Sequence, residues 1–265
     1  MKILITGAHG FVGNRLMQDL DDTVAVPSMR GMSEEQIRNM IEKSRADVII
    51  HTAAISDVGT CEKDPGASYE ANVRLPLFLA KAAKEQKLIC FSSDQVYRGC
   101  AGEGPYKEED ASPCNVYGRH KLEMEQRVLD VKPDAVMLRA EWMYDYPAER
   151  SNYLRMLLNE KQVLTFGKQY RGITYLREVA ENMPKIFMLP GGVYNFGSET
   201  KQTMYDITCE MLHFLKSDRK PEEVPPAHNL WMDCTKAKER GILFSDAKEG
   251  LKRCLKDYHL TKDRE

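Results

Sequence analysis

The chain has 265 residues, 42% apolar and 29% charged, with 38 Lys plus Arg against 40 Asp plus Glu and a formal charge of −2. That is enough apolar material for one large core or a main domain with a smaller lobe, and it excludes a disordered chain or a disulfide-held miniprotein. The charge balance offers no polycationic surface, so no nucleic-acid partner is expected. Apolar runs such as 48–50 and 135–138 fall far short of the roughly 20 residues that cross a bilayer, so no membrane span is expected either. The N-terminus passes directly into Ile3-Leu4-Ile5 without a signal-length apolar region, and the seven scattered cysteines contain no Cys-x-x-Cys pair. Both features point to a cytoplasmic protein with reduced thiols. The six histidines are isolated in sequence, and no metal site is predicted.

In chain order, 2–6 reads as a short strand ending at a glycine, 11–20 as a helix, and 23–26 as a second strand before Pro27. Ser33 followed by Gln36 is a capping-box signature for a helix to about residue 43, and 47–51 is a β-branched run. Pro65 opens a long helical stretch, 88–91 is a strand, Ser112-Pro113 precedes another helix, and 135–139 is a strand. Short apolar strands separated by helices predict a parallel sheet covered on both faces, a doubly wound α/β domain. Beyond Trp142 the alternation loosens: helix 152–159, strand 163–166, helix 175–187 and strand 192–196, with 221–226 as a Pro-rich loop. The predicted fold is therefore α/β, a Rossmann-like doubly wound sheet with a small C-terminal lobe. The main domain would take 1–142 plus about 173–199, and the lobe 143–172 and 200–265.

Three motifs carry chemistry. Glycines 7, 10 and 13 in Thr6-Gly7-Ala8-His9-Gly10-Phe11-Val12-Gly13 lie between a strand and a helix. There the missing β-carbons let backbone approach a pyrophosphate and helix amides face an anion. An ordinary strand-to-helix turn would carry the same glycines; placement inside a strand-turn-helix-strand unit favours a dinucleotide. The second strand is followed by Pro27-Ser28-Met29-Arg30 where an NAD enzyme usually offers a carboxylate. Arg30 suits a 2′-phosphate, which favours NADP(H) over NAD(H), although a solvated loop arginine would read the same.

Tyr117 and Lys121, four apart on a helix, share one face. A nearby ammonium favours phenolate and brings a phenol, whose ordinary pKa is about 10, toward proton exchange at neutral pH. Ser93, in Phe91-Ser92-Ser93-Asp94 directly after a buried strand, stands at the carboxyl edge of the sheet, where ligands of open α/β sheets bind. A Tyr-x-x-x-Lys pair alone also describes a helix surface, and a lone serine also describes a cap. Their order behind the glycine turn is what singles them out.

These segments, with ADVIIHTAA at 46–54, CEKDP at 61–65, SPCNVYGRHKLEME at 112–125 and LRAEWMY at 138–144, resemble the extended short-chain dehydrogenase/reductases, most nearly the dTDP-4-dehydrorhamnose reductase family. The match is strong over the first 150 residues and weaker to about residue 200. The resemblance implies that Ser93 and Tyr117 bind the carbonyl oxygen, that Tyr117 protonates it, and that Lys121 holds the nicotinamide ribose. It places Gly10, Phe11 and Val12 at the pyrophosphate, Ala53, Ala54 and Ile55 beside the cofactor, and Asp94 and Trp142 in the sugar pocket. It implies an NAD(P)H-dependent reductase of a sugar or nucleotide-sugar ketone, with a homodimer compatible. Pro27, the Val58-to-Glu62 segment short of one carboxylate, Glu141 ahead of Trp142, Gly172-Ile173-Thr174 and Pro226-Ala227 depart from the family pattern. Because the departures fall in the sugar-recognising half, two other readings stay open. One is a cofactor-binding regulatory subunit, like that of methionine adenosyltransferase; the other is a nucleotide-sugar epimerase.

Overall fold

A strand buried on both faces must be apolar at every position, and Ile3-Leu4-Ile5 satisfies this: all three are buried, Ile3 and Ile5 against one layer of helices and Leu4 against the other. The computed structural model of the chain describes residues 1–147 and 152–260. Its first half runs β1 (Ile3–Thr6), α1 (Phe11–Asp19), β2 (Thr23–Ala25), α2 (Glu34–Ser44), β3 (Val48–His51), α3 (Val58–Lys63), α4 (Pro65–Tyr69), α5 (Leu75–Ala82), β4 (Lys87–Ser93), α6 (Val116–Val131) and β5 (Val136–Ala140). The second half runs β6 (Trp142–Tyr144), α7 (Tyr153–Leu158), β7 (Thr165–Phe166), β8 (Ile173–Tyr175), α8 (Leu176–Ile186), β9 (Gly192–Phe196), α9 (Met204–Phe214), β10 (Glu222–Glu223), α10 (Thr235–Lys238) and α11 (Ala247–Asp257).

The main sheet has the order β2-β1-β3-β4-β5-β9 and is parallel throughout. This is the Rossmann-like doubly wound sheet expected from the alternating pattern. Helices α1 and α8 cover one face through Leu16, Val179 and Met183; α2, α5 and α6 cover the other through Ile37, Leu79 and Met124. The capping box forms as read: the Ser33 hydroxyl accepts from the Gln36 amide at 3.2 Å, and the Gln36 side chain accepts from the Ser33 amide at 2.8 Å. Ser33→Ala is expected to cost about 1 kcal/mol, seen as a fall of about 2–4 °C in thermal unfolding. No change in melting would remove the cap from the stability balance.

Two expectations change, and one strand pairing is added. The long helical stretch after Pro65 is two α-helices joined by a π turn, Glu70–Arg74. Pro76 lacks the N–H that an unbroken α-helix would use, and the backbone widens just before it. The 221–226 segment is not all loop, because Glu222 and Glu223 pair in parallel with Thr165 and Phe166. β6 and β8 also form a parallel pair, Trp142 to Tyr144 against Ile173 to Tyr175.

Behind that pair lies a separate apolar cluster including Tyr144, Tyr153, Leu157, Ile207, Met211 and Leu251. Ala237 and Ile242 pack instead with the main-sheet core. Buried Arg15 on α1 ties the two regions, bonding Asp145 at 3.0 Å and the Tyr258 hydroxyl at 2.6 Å. Among the described residues, no helix is long and apolar enough to cross a membrane.

Candidate active site

In a parallel sheet a crevice opens where neighbouring crossovers leave toward opposite faces, just beyond the carboxyl ends of the strands. Here the order reverses between β1 and β3, and a cavity of about 730 Å³ opens there. The ends of β1, β3, β4 and β5 all contribute to its wall, through Thr6 and Gly7, Thr52 and Ala53, Ser92 and Ser93, and Ala140 and Glu141.

Gly7 adopts φ +71°, and a β-carbon on it would stand 2.7 Å from the Ala53 amide nitrogen. Both the conformation and the close approach to the β3 loop require glycine. Gly10 caps α1, and its amide donates to the Gly7 carbonyl at 2.8 Å. Gly10, Phe11 and Val12 line the cavity. Gly13 does not: a β-carbon there would collide with the Gly7 carbonyl, so its service is to close helix packing on the turn. Backbone held this close, opening on the first turn of α1, fits the pyrophosphate of a dinucleotide. Arg30, Ala53, Ala54 and Ile55 also line the cavity, and the Ile55 amide is fixed by Asn72 Oδ1 at 3.1 Å.

Ser93, Tyr117 and Lys121 face the same space. Asn115 caps α6 by accepting from the Gly118 amide at 2.7 Å. Gly118 then lets the helix lie against the Gln95 carbonyl, where a β-carbon would not fit. The next turns of that helix face are Lys121 and Glu125. Lys121 is buried; its Nζ donates to the Phe91 carbonyl at 2.8 Å and lies 5.7 Å from the Tyr117 ring centre. Burial pulls the Lys121 ammonium down to about 8, partly offset by the Cys90 and Glu125 side chains. It therefore still carries its charge at neutral pH. Nearby His51 bonds Thr6 through Nδ1 at 2.7 Å, and burial, with Lys121 adding to it, holds its imidazole neutral, down to about 3. Glu125 grips Arg139 of β5 with two bonds, Nη2–Oε2 at 2.7 Å and Nε–Oε1 at 3.0 Å, and also accepts from the Ser92 hydroxyl. This ties the helix carrying Tyr117 and Lys121 to the strands carrying Ser93 and Ala140.

The Ser93 hydroxyl accepts from the Gln95 amide at 3.2 Å and donates to Asp94 Oδ1 at 3.1 Å. The cap that serine chemistry suggests is thus present, in a side chain that also faces the cavity. To donate to a ligand oxygen, Ser93 must turn its proton away from Asp94. Asp94 in turn receives Arg171 Nε at 3.0 Å and Nη2 at 2.9 Å. Arg171 lies 5.3 Å over the Trp142 ring. Arg171 and Asn152 line this end of the cavity and were not singled out from sequence. Arg171 reaches the site through the bridge to Leu230 and the turn into β8, long-range pairings without a local signature. Among the described residues no cluster of His, Cys, Asp or Glu has the makings of a metal site.

Sheet order, glycine turn and the Ser-Tyr-Lys set define an extended short-chain dehydrogenase/reductase. The chain belongs to the RmlD substrate binding domain family, whose model matches residues 1–260. It is 27% identical over 243 residues to a dTDP-4-dehydrorhamnose reductase of Aggregatibacter actinomycetemcomitans, covering 84% of this chain and 82% of that protein. It is also 27% identical over 234 residues to methionine adenosyltransferase 2 subunit beta of Danio rerio, covering 78% of this chain and 72% of that protein. Among solved structures, the dTDP-4-dehydrorhamnose reductase of Bacillus anthracis in complex with NADP superposes with a TM-score of 0.86 at 22% identity, covering 97% of this chain and 99% of that one. Likeness at that identity speaks to the fold.

Proposed function

We propose that the chain is an NADPH-dependent reductase of a nucleotide-linked keto sugar. The observation that carries this reading is one cavity whose wall holds the glycine turn and Arg30 at one end and Ser93, Tyr117 and Lys121 at the other. Gly7, Gly10, Phe11, Val12, Ala53, Ala54 and Ile55 would hold the coenzyme, with Gly13 packing the turn from behind. When bound, the reduced nicotinamide supplies a hydride for the carbonyl carbon. Tyr117 delivers the proton to the carbonyl oxygen, and Ser93 donates a hydrogen bond to that oxygen as charge develops on it. Lys121, fixed by the Phe91 carbonyl, keeps an ammonium beside the phenol and offers its remaining protons to ribose hydroxyls. Asp94, Arg171 and Trp142 face the sugar.

We assign coenzyme binding to 1–142 with about 173–199, and sugar recognition chiefly to 143–172 and 200–265. A cytoplasmic homodimer acting on a small molecule, with neither nucleic acid nor membrane as partner, completes the proposal. The relatives that are dTDP-4-dehydrorhamnose reductases support the substrate class. The likeness to methionine adenosyltransferase 2 subunit beta favours, as second reading, a regulatory subunit that binds coenzyme without turning it over.

Mixing the protein with NADPH and a panel of nucleotide-linked 4-keto sugars, and following coenzyme absorbance, separates the two. Consumption is expected; binding of NADPH without consumption across the panel would favour the regulatory reading. Arg30→Ala is expected to weaken NADPH binding on the order of tenfold while leaving NADH unchanged, because a charge-assisted bond to the 2′-phosphate would be lost. Equal losses for both coenzymes in calorimetry would take Arg30 away from that phosphate.

A further inference from the structure

A carboxyl group buried beside an ion pair is a costly arrangement, and it calls for an account wherever it lines a functional cavity. Glu141, between β5 and β6, is such a group. Its Oε1 accepts from the Thr174 hydroxyl at 2.7 Å. On either side stand Gly172 and Gly197, and a β-carbon on either would collide with the Glu141 carboxyl. The two glycines make the room that this side chain fills. The titratable and charged groups facing it are Asp94 beyond β4, Arg171 before β8 and the Cys234 thiol ahead of α10. Burial pushes that thiol up, so it stays neutral.

We propose that Glu141 is a positioning residue that sets the Arg171–Asp94 pair and, through it, recognition of an anionic nucleotide-linked substrate. The substrate class rests on the function proposed above. The Glu141 carboxyl packs against Gly172, the residue next to Arg171, so it stands close to a guanidinium whose ion pair is with Asp94. Arg171 gives both its Nε and Nη2 to Asp94 Oδ2 and lies over Trp142, so its direction at the cavity depends on having a single anionic partner. Burial, with Asp94 adding to it, pushes Glu141 up to about 8, against the opposing pull of Thr174 and Arg171. At neutral pH Glu141 is thus an uncharged acid and Asp94 holds Arg171 alone. Above about pH 8 a second negative charge appears at the pair, drawing the guanidinium away and reducing the positive field that an anionic ligand meets.

The test compares wild type with Glu141→Gln and Thr174→Val across pH. For wild type, KM for the nucleotide-linked ketone is expected to rise on the order of tenfold between about pH 7 and about pH 10, with a smaller change in kcat. Glu141→Gln should flatten that rise. Thr174→Val, which removes a donor favouring the ionised form, should move it to higher pH. Lys121 titrates in the same range in all three proteins, so the difference between them is what counts. Two measurements need no turnover. Calorimetric Kd for a deoxythymidine diphosphate-linked sugar should follow the same three profiles, and an infrared carboxylic C=O band present at neutral pH should fade through about pH 8 in wild type and be missing from Glu141→Gln. If no ketone is reduced, the proposed function fails while these two readings still decide the role of Glu141. Identical pH profiles for wild type and Glu141→Gln, or an infrared band untouched by the substitution, would overturn the proposal.

Discussion

Tyr117→Phe is expected to bind NADPH within a few-fold of wild type and to reduce its ketone about 10²–10⁴ times more slowly. The phenyl ring keeps the buried volume on α6 and the face toward Lys121; what it loses is the O–H. No neighbour replaces that proton. Ser93 directs its own at Asp94, Lys121 spends one on the Phe91 carbonyl, and buried His51 is held neutral. Because the variant leaves ground-state contacts to the coenzyme in place, the loss should fall on kcat, with a small change in coenzyme Kd. Steady-state kinetics with a calorimetric coenzyme titration reads both. Turnover within about threefold of wild type would remove Tyr117 from the proton-transfer role.

Glu125→Ala is expected to be strongly destabilising. Glu125 and Arg139 are both buried, and the carboxylate also receives the Ser92 hydroxyl. Arg139 further bonds the Tyr97 hydroxyl at 2.7 Å and the Glu108 carbonyl at 2.6 Å. Deleting the carboxylate leaves a guanidinium in the protein interior without its counter-charge, which typically costs about 3–5 kcal/mol. For a chain of this size that is a fall of about 10 °C in melting temperature. The double variant Glu125→Leu with Arg139→Met should recover most of it, since apolar groups of similar volume need no counter-charge. A single variant that melts within about 2 °C of wild type would show that the pair does not hold α6 to the sheet.

What the amino-acid order discloses is the local part of this architecture. Ile3-Leu4-Ile5 and Val48-Ile49-Ile50 declare strands buried on both faces, Ser33 and Gln36 declare a helix start, and Tyr117 and Lys121 declare a shared helical face, because each signal spans at most a few residues. The part of the cavity wall formed by Gly7, Ala53 and Ser93 could be read for the same reason: these residues end or closely follow strands whose carboxyl ends must face one crevice. Gly13 shows the limit of that reading. The pattern places it among the ligand-binding glycines, whereas its side of the turn is taken by the Gly7 carbonyl.

Nothing local announces that Trp142 to Tyr144 will pair with Ile173 to Tyr175, or that Glu222 and Glu223 will add to Thr165 and Phe166. Arg171 escaped for that reason. A lone arginine before Gly172 becomes a site residue only when β8 and the Leu230 bridge carry it to Asp94. Glu141 was visible as an oddity beside Trp142, but its meaning required the two glycines that fold against it.

Hydride delivery to a ketone carbon in the cleft can be followed by deuterium tracing. The protein is incubated with NADPH deuterated at C4 on the transferred face and a nucleotide-linked 4-keto sugar, and the product is analysed by NMR. One deuterium on the new alcohol carbon and one oxidised coenzyme per product are expected, with neither in Tyr117→Phe on the same timescale. Label retained in the coenzyme, or sugar converted with no net coenzyme oxidation, would rule out hydride transfer to the ketone.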